Sequence, residues 1–229
     1  MSLALKRRDF LLGALTFSGL HGCGNYKVKN LAKSDINLVT DEFIAETRGL
    51  VADLMVKLYR RNPDQLLRGD LHTMAGRLTL IRETRGALRF EELSNLEEIE
   101  ALDHVFDPGF QGDRVFLLIV GLGGMLRRAY GYNTELYMFD SLNPEVLEAS
   151  ARNTEILLWR LKNNRKPNGD LFLITSEYQG VIDNLSFERL FGKLIALQDM
   201  MARIASDADD RRVTKAVHTA TSVFIPLPI

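Results

Sequence analysis

The chain has 229 residues, with 29 lysines and arginines against 30 aspartates and glutamates, so its formal net charge is −1. This balance argues against the clustered basic surface of a protein that binds nucleic acid. A single cysteine excludes an internal disulfide. The length is sufficient for one sizeable domain or two small ones.

The first two dozen residues have the composition of an export signal. A basic start that contains Lys6, Arg7 and Arg8 is followed by an uncharged apolar run, Phe10–Leu20. A secretory signal combines such a positive segment with about 7–15 apolar residues and a cleavage site. The run is too short to cross a bilayer as a helix, which needs about 20 apolar residues. We therefore expect residues 1–22 to be a signal peptide. The alternative is an amphipathic first helix of a cytosolic protein with a buried free cysteine.

The apolar run ends in Leu20-His21-Gly22-Cys23, which resembles the lipobox of bacterial lipoproteins. The resemblance implies cleavage between Gly22 and Cys23, followed by acylation of the Cys23 sulfur and of the new amino terminus. Each buried methylene of a lipid chain contributes about 0.8 kcal/mol, so two or three chains hold a protein on a membrane. The covalent lipid on Cys23 is the one non-protein group that we expect, and no other cofactor is predicted.

A pair of arginines, Arg7 and Arg8, followed by Phe10 and Leu11, resembles a twin-arginine export signal. The general secretory pathway remains open as the alternative. Removal of residues 1–22 takes away three basic residues and one acidic residue and leaves a net charge of −3. This mild acidity favours membrane attachment through lipid over electrostatic attachment. We expect the protein in the bacterial cell envelope, facing the periplasm, with the outer membrane favoured over the inner.

After Cys23, residues 24–39 are mostly polar and are predicted to be a tether to one domain that spans residues 40–229. Thr40, followed by two acids, predicts the start of a helix that ends at Asn62-Pro63. The loop at 107–112 is a candidate boundary between two subregions. Helical spacing and capping residues predict further helices over the ranges 64–68, 71–83, 90–106, 113–130, 143–163, 186–206 and 211–221.

Two apolar segments are less regular than the helices. Residues 171–175 are predicted as a strand or a helix, and residues 223–229 as an extended tail that docks on its own domain. Taken together, the segments predict an all-α fold. We expect six to seven helices, with one or two short strands at most, in one domain with orthogonal or bundle-like packing.

A glycine cluster, Gly121-Leu-Gly-Gly124, follows the most apolar stretch of the domain, Val115–Val120. Read as strand, glycine turn and helix, it is similar to the phosphate-binding start of a nucleotide-binding βαβ unit. The favoured interpretation is a buried helix over residues 113–130, in which small residues let a neighbour pack closely. A second membrane segment is the least favoured interpretation, because this apolar run is too short to span a bilayer as a helix.

Aromatic residues follow the glycine cluster at Tyr130, Tyr132, Tyr137 and Phe139. Tyrosine is favoured where one end of the ring stays wet, so these residues are candidates for a ligand groove or a protein contact. Ordinary core packing is the alternative. The candidate ligand-binding residues are therefore Gly121, Gly123, Gly124, Tyr130 and Tyr137.

Other candidates for chemistry carry weaker signals. The dense acids of residues 91–100 are predicted to form a solvated helix face rather than a catalytic pair. His72, His104 and His218 are not at metal-ligand spacing, and Ser176 has no glycine elbow around it. We predict no catalytic residue and no metal ligand from the sequence.

The sequence therefore favours a lipid-anchored, periplasm-facing protein that acts without catalysis, as an interaction or structural module of the envelope. Its expected partners are the membrane, through the anchor, and another envelope protein. The alternative is an envelope enzyme or a small-ligand-binding protein that uses a pocket near Gly121–Phe139.

Overall fold

The computed structural model describes residues 35–136, 142–178 and 180–208. Two short 3-10 helices cover Pro63–Arg68 and Glu91–Leu93. Strands β1 (Glu177–Tyr178) and β2 (Val181–Ile182) form an antiparallel pair in which Glu177 lies opposite Ile182. The predicted all-α fold is confirmed. Six α-helices form in the described ranges: α1 (Asp35–Arg61), α2 (Met74–Glu83), α3 (Glu98–His104), α4 (Arg114–Ala129), α5 (Pro144–Asn163) and α6 (Ser186–Ala208).

Helix α4 lies at the centre of the fold. Every residue from Arg114 to Arg127 is buried, and helices α1, α3 and α5 pack against it. Asp113 caps its start, because the Asp113 carboxylate accepts a hydrogen bond from the Phe116 N–H at 2.9 Å. A helix enclosed on all sides needs no polar face, which accounts for the unbroken apolar run. The interpretation as a buried helix is confirmed, and the interpretation as a strand and phosphate-binding turn is wrong.

Helices α1, α5 and α6 complete the core around α4. Helices α5 and α6 pack along each other, and α1 packs against both α4 and α6. Leu54 and Leu58 of α1 and Phe187 and Phe191 of α6 are fully buried. Complete burial of each such side chain contributes about 1.5–3 kcal/mol. One connected apolar core contains residues from both sides of the loop at 107–112.

The first helix starts earlier than predicted. Helix α1 begins at Asp35, so residues 35–39 are helical rather than part of a tether. Thr40 is buried within the helix, and its hydroxyl lies 3.7 Å from the Met201 sulfur of α6. The prediction of Thr40 as a capping residue is wrong because this side chain packs against a neighbouring helix.

Three residues with left-handed backbone divide the predicted helix 90–106. Ser94, Asn95 and Glu98 have φ values of 55°, 59° and 48°, a region that non-glycine residues adopt rarely. The structure therefore has a 3-10 turn and the short helix α3 in place of one helix. Glu98 is held by partners at the carboxyl end of α4, because its carboxylate accepts hydrogen bonds from Arg128 at 3.0 Å and from Tyr132. Tertiary contacts of this kind maintain a strained backbone.

Other boundaries differ by smaller amounts. Helix α2 begins at Met74 rather than at Leu71, because the Thr73 hydroxyl caps it by accepting from the Gly76 N–H at 3.1 Å. Residues 171–175 form neither a strand nor a helix, apart from a single bridge between Leu171 and Arg165. The helices predicted to open at Asn143 and Ser186 are confirmed.

Several predictions fall outside the described residues. These are the export signal with Cys23, the candidate Tyr137, Phe139, the helix 211–221 and the tail 223–229. Among the helices that the structure describes, none combines the length and the apolar character needed to span a bilayer.

The small residues of α4 let helix α3 approach closely. A Cβ atom at Gly121 would lie 2.8 Å from Leu102 Cγ and 2.9 Å from the backbone oxygen of Glu98. Both distances are shorter than a carbon makes without displacement of its neighbour. Gly121 is therefore required for this helix contact.

We expect Gly121→Ala to destabilise the domain by about 1–3 kcal/mol, since the added methyl group overpacks the contact with α3. This loss is expected to outweigh the higher helix propensity of alanine, which favours alanine over glycine by about 1 kcal/mol within a helix. Gly49→Ala in α1 is the matched control, because nothing lies within 4 Å of a Cβ there. Urea unfolding measures both free energies. Equal stability of Gly121→Ala and the wild type would contradict the close-packing role.

Candidate functional site

The three glycines predicted as ligand-binding residues face different neighbours on α4. Gly121 faces α3, and so does Gly124, where a Cβ would lie 3.5 Å from Glu98 Cγ. Gly123 faces away from α3, and a Cβ there would lie 3.3 Å from Leu88 Cδ1. Successive helical residues are about 100° apart, so Gly121 and Gly123, two residues apart, lie on nearly opposite faces. Gly121 and Gly124 are packing residues against α3, and Gly123 is the one of the three that lines a cavity.

Gly123 and Tyr130 line an apolar cavity between α1, α2 and α4, with a volume of about 120 Å³. An apolar cavity of about 150 Å³ in another protein stays dry and binds benzene. The present cavity therefore has room for an apolar group near the size of one ring. Gly123 contributes only backbone to the cavity wall, and Ala52 contributes a single methyl group. The other apolar residues around it are Ile44, Val51, Leu78, Ile81, Leu88 and Leu126.

Two hydroxyl groups give the cavity a polar end. Thr47 and Tyr130 both line it and are both buried. Gln198 of α6 donates to the Tyr130 hydroxyl at 3.3 Å and lies 3.5 Å from the Thr47 hydroxyl. Its carbonyl oxygen accepts from Ser150 of α5 at 3.3 Å. Burial raises the pKa of Tyr130, so its phenol group is neutral at physiological pH.

Arg127 forms one charged wall of the cavity. Its guanidinium group donates to the backbone oxygens of Ile81 at 2.7 Å, Thr84 at 2.8 Å and Gly86 at 3.2 Å. These acceptors lie in and just after the last turn of α2, where the helix dipole favours a cation. Burial and the nearby charge of Arg48 lower the pKa of Arg127 to about 10. Arg127 thus fixes α2 to α4 while it places a positive charge beside the cavity.

More arginines surround the mouth of the cavity. Arg48 and Arg82 line the cavity, and both also line a surface cleft of about 430 Å³ with Arg85 and Glu83. Burial and the like charge of Arg85 lower the pKa of Arg48. Within the described part of the chain, none of Arg48, Arg82 and Arg85 forms an ion pair. The sequence analysis missed these residues, because no short motif contains them.

A second charged cluster is buried on another side of α4. Arg77 is fully buried and makes two hydrogen bonds to the Glu92 carboxylate, one of them 2.7 Å long. Its guanidinium group lies 4.0 Å from the centre of the Phe116 ring. Nearby, the Tyr59 hydroxyl donates to Asp113 at 2.6 Å. This cluster joins α1, α2 and the 3-10 turn to the start of α4.

The predicted solvated acidic face is therefore wrong for two of its members. Glu92 is ion-paired with Arg77, and Glu98 is buried and paired with Arg128. Burial opposes ionisation of Glu92, but hydrogen bonds from Arg77 and from the Asp70 N–H hold its pKa below the ordinary value. A single sequence does not reveal which acid of a dense run meets an arginine.

The remaining candidates lie apart from the cavity. His72 is exposed, and the His104 ring bonds the backbone oxygen of Glu100 at 2.9 Å. Ser176 is buried near Glu188, whose pKa is lowered in part by their contact. Within residues 35–136, 142–178 and 180–208, no three His, Cys, Asp or Glu side chains come together in a form that holds a metal ion.

Comparisons of the chain with protein-family models, with curated proteins and with solved structures find no match. The site is therefore interpreted from its own geometry, which consists of an apolar cavity, a hydroxyl pair at one end and arginines at its mouth.

We expect Glu92→Gln to destabilise the protein by about 3–5 kcal/mol at pH 7, because the buried Arg77 loses its charged partner. The folded-state pKa of Glu92 is lowered, so the ionised side chain stabilises the fold above its unfolded pKa near 4.3. This stabilisation is lost as the pH falls through the lower folded-state value.

Urea unfolding between pH 7 and pH 3 measures the stability difference between the wild type and Glu92→Gln. The difference should be constant above about pH 5 and should shrink as the pH falls below about 4. Glu91→Gln is the matched control, since Glu91 is exposed in the same turn. A stability difference that does not change with pH would contradict the ion-pair assignment.

Proposed function

We propose that the protein is a lipid-anchored, periplasm-facing protein of the bacterial envelope whose helical domain binds a small apolar molecule without transforming it. The observation that carries the binding role is the cavity of about 120 Å³ beside Gly123 and Tyr130. The support for the anchor is the resemblance of Leu20-His21-Gly22-Cys23 to a lipobox.

The cavity supports the binding role because it is concave and mostly apolar, with a few polar groups in its lining. Sites for small molecules usually have this form. Here Gly123 and Ala52 stand where larger apolar residues would close it. A bound apolar group restores the contacts that the lining side chains lack.

The binding role is tested by filling the cavity with a side chain. Ala52→Leu adds three carbons into this space, and Ala45→Leu adds the same group on the exposed face of the same helix. Benzene is the probe, and the methyl NMR signals of Ile81 and Leu88 report its binding. We expect benzene to bind the wild type and Ala45→Leu, and its Kd to rise at least about tenfold in Ala52→Leu.

If Ala52→Leu fails to fold, Gly123→Ala provides a smaller change, because its Cβ would meet Leu88 at 3.3 Å. Circular dichroism confirms that each variant is folded. Failure of benzene to bind the wild type would refute the binding role. Unchanged affinity in a folded Ala52→Leu protein would also refute it, because the cavity would then not be the site.

The lipid anchor is tested separately in the cells that make the protein. We expect radiolabelled palmitate to be incorporated into the wild type and into Ser34→Ala, and to be absent from Cys23→Ser, which lacks the acylated sulfur. Fluorography of the immunoprecipitated chain measures the label. Label on Cys23→Ser, or none on the wild type, would show that the protein is not a lipoprotein of this type.

A further inference from the structure

The charged residues around the cavity and its adjoining cleft are mostly arginines. The two linings together contain a single acid, Glu83, and four arginines: Arg48, Arg82, Arg85 and Arg127. We propose that the ligand of the cavity is a small apolar carboxylate whose anionic group is bound by Arg48, Arg82 and Arg85. This inference rests on the proposed binding function and specifies the chemical class of the ligand.

The electrostatic argument begins at Arg127. The Arg127 residue is 9% exposed, and within the described ranges its guanidinium group donates to uncharged backbone oxygens. A buried charge is normally paired with an opposite charge, because its transfer from water costs several kcal/mol. No carboxylate pairs with Arg127 among the described residues. An anion bound at the mouth of the cavity would reduce this cost.

The same electrostatic argument applies to Arg48, which is more exposed than Arg127. It is partly buried, and the positive charges near it are Arg85 and Arg127. Repulsion between like charges in a medium of low dielectric constant is relieved when an anion binds between them. Arginine also suits a carboxylate, because its planar group donates two parallel hydrogen bonds to the two oxygens.

The volume of the cavity limits the size of the apolar part of the ligand. A volume of about 120 Å³ holds an apolar group near the size of one ring, whereas a long acyl chain of a lipid needs several times this space. Apart from the Tyr130 and Thr47 hydroxyls, Asn133 and the arginines, the residues that line the cavity are apolar. A free carboxylate with a compact apolar body therefore fits better than a lipid.

The experiment compares two probes of nearly equal size on the full chain. Phenylacetate carries the carboxylate, and phenylacetamide is its neutral counterpart. Calorimetry measures both affinities for the wild type and for the double variant Arg82→Gln/Arg85→Gln. The matched control is Arg60→Gln/Arg203→Gln, which removes two charges from exposed positions outside the cavity and cleft.

We expect phenylacetate to bind the wild type at least about tenfold more tightly than phenylacetamide. This ratio should fall at least about threefold in Arg82→Gln/Arg85→Gln, in which Arg48 and Arg127 remain, and should be kept in the control. Binding of phenylacetate should also weaken as the salt concentration rises from about 0.05 to about 0.3 M, because ions screen the exposed arginines.

Equal affinities of the two probes for the wild type would refute the inference and leave the proposed apolar binding function intact. Failure of both probes and of benzene would refute the function as well. If phenylacetate bound only after deletion of residues 223–229, the chain's own apolar segment would be the occupant, and the inference would be wrong.

Discussion

The complete burial of helix α4 is the constraint on which the rest of the fold depends. An enclosed helix presents polar groups at both ends that water does not reach, so protein groups must satisfy them. At its start, Asp113 caps the helix, and Gln65 accepts from the Arg114 N–H at 3.0 Å. The Arg114 side chain then donates to the backbone oxygens of Val105 and Phe110. These bonds fix the loop that precedes the helix.

Arginines perform a similar task at the other end of α4. Arg127 binds three backbone oxygens in and just after the last turn of α2, and Arg128 pairs with Glu98 at the start of α3. Each long side chain reaches from the buried helix to a neighbouring segment. Removal of the Arg127 guanidinium group would leave backbone oxygens of Ile81, Thr84 and Gly86 without this donor, and removal of the Arg128 group would leave the buried Glu98 carboxylate without its ion pair.

The two glycine-bearing faces of α4 show how one apolar helix serves two purposes. On one face, Gly121 lets the backbone of α3 approach, and the strained residue Glu98 is locked in place. On the other face, Gly123 contacts Leu88 and Val51 and lines the cavity between α1, α2 and α4. Arg127, the buried arginine that holds α2 against α4, also places its positive charge at the edge of this cavity. The packing and the electrostatics of the candidate site therefore depend on the same side chain.

The sequence by itself determined the all-α class, the buried helix at 113–130 and the helix openings at Asn143 and Ser186, because burial and capping leave local patterns of residues. It also marked Gly123 and Tyr130 as candidates. Only the tertiary structure decided the break at Ser94 and Asn95, since contacts of Glu98 with α4 maintain a backbone that local preference opposes.

The cavity itself was beyond sequence reasoning for the same reason. Its arginines lie on three segments, at positions 48, 82–85 and 127, and no local pattern connects them. A glycine in a helix signals either close packing or open space, and the neighbour across the interface decides between these outcomes. Gly121 and Gly123 are identical in sequence terms, yet one contacts α3 and the other lines a cavity. Helix patterns are local, whereas the shape and charge of a site depend on which distant side chains meet.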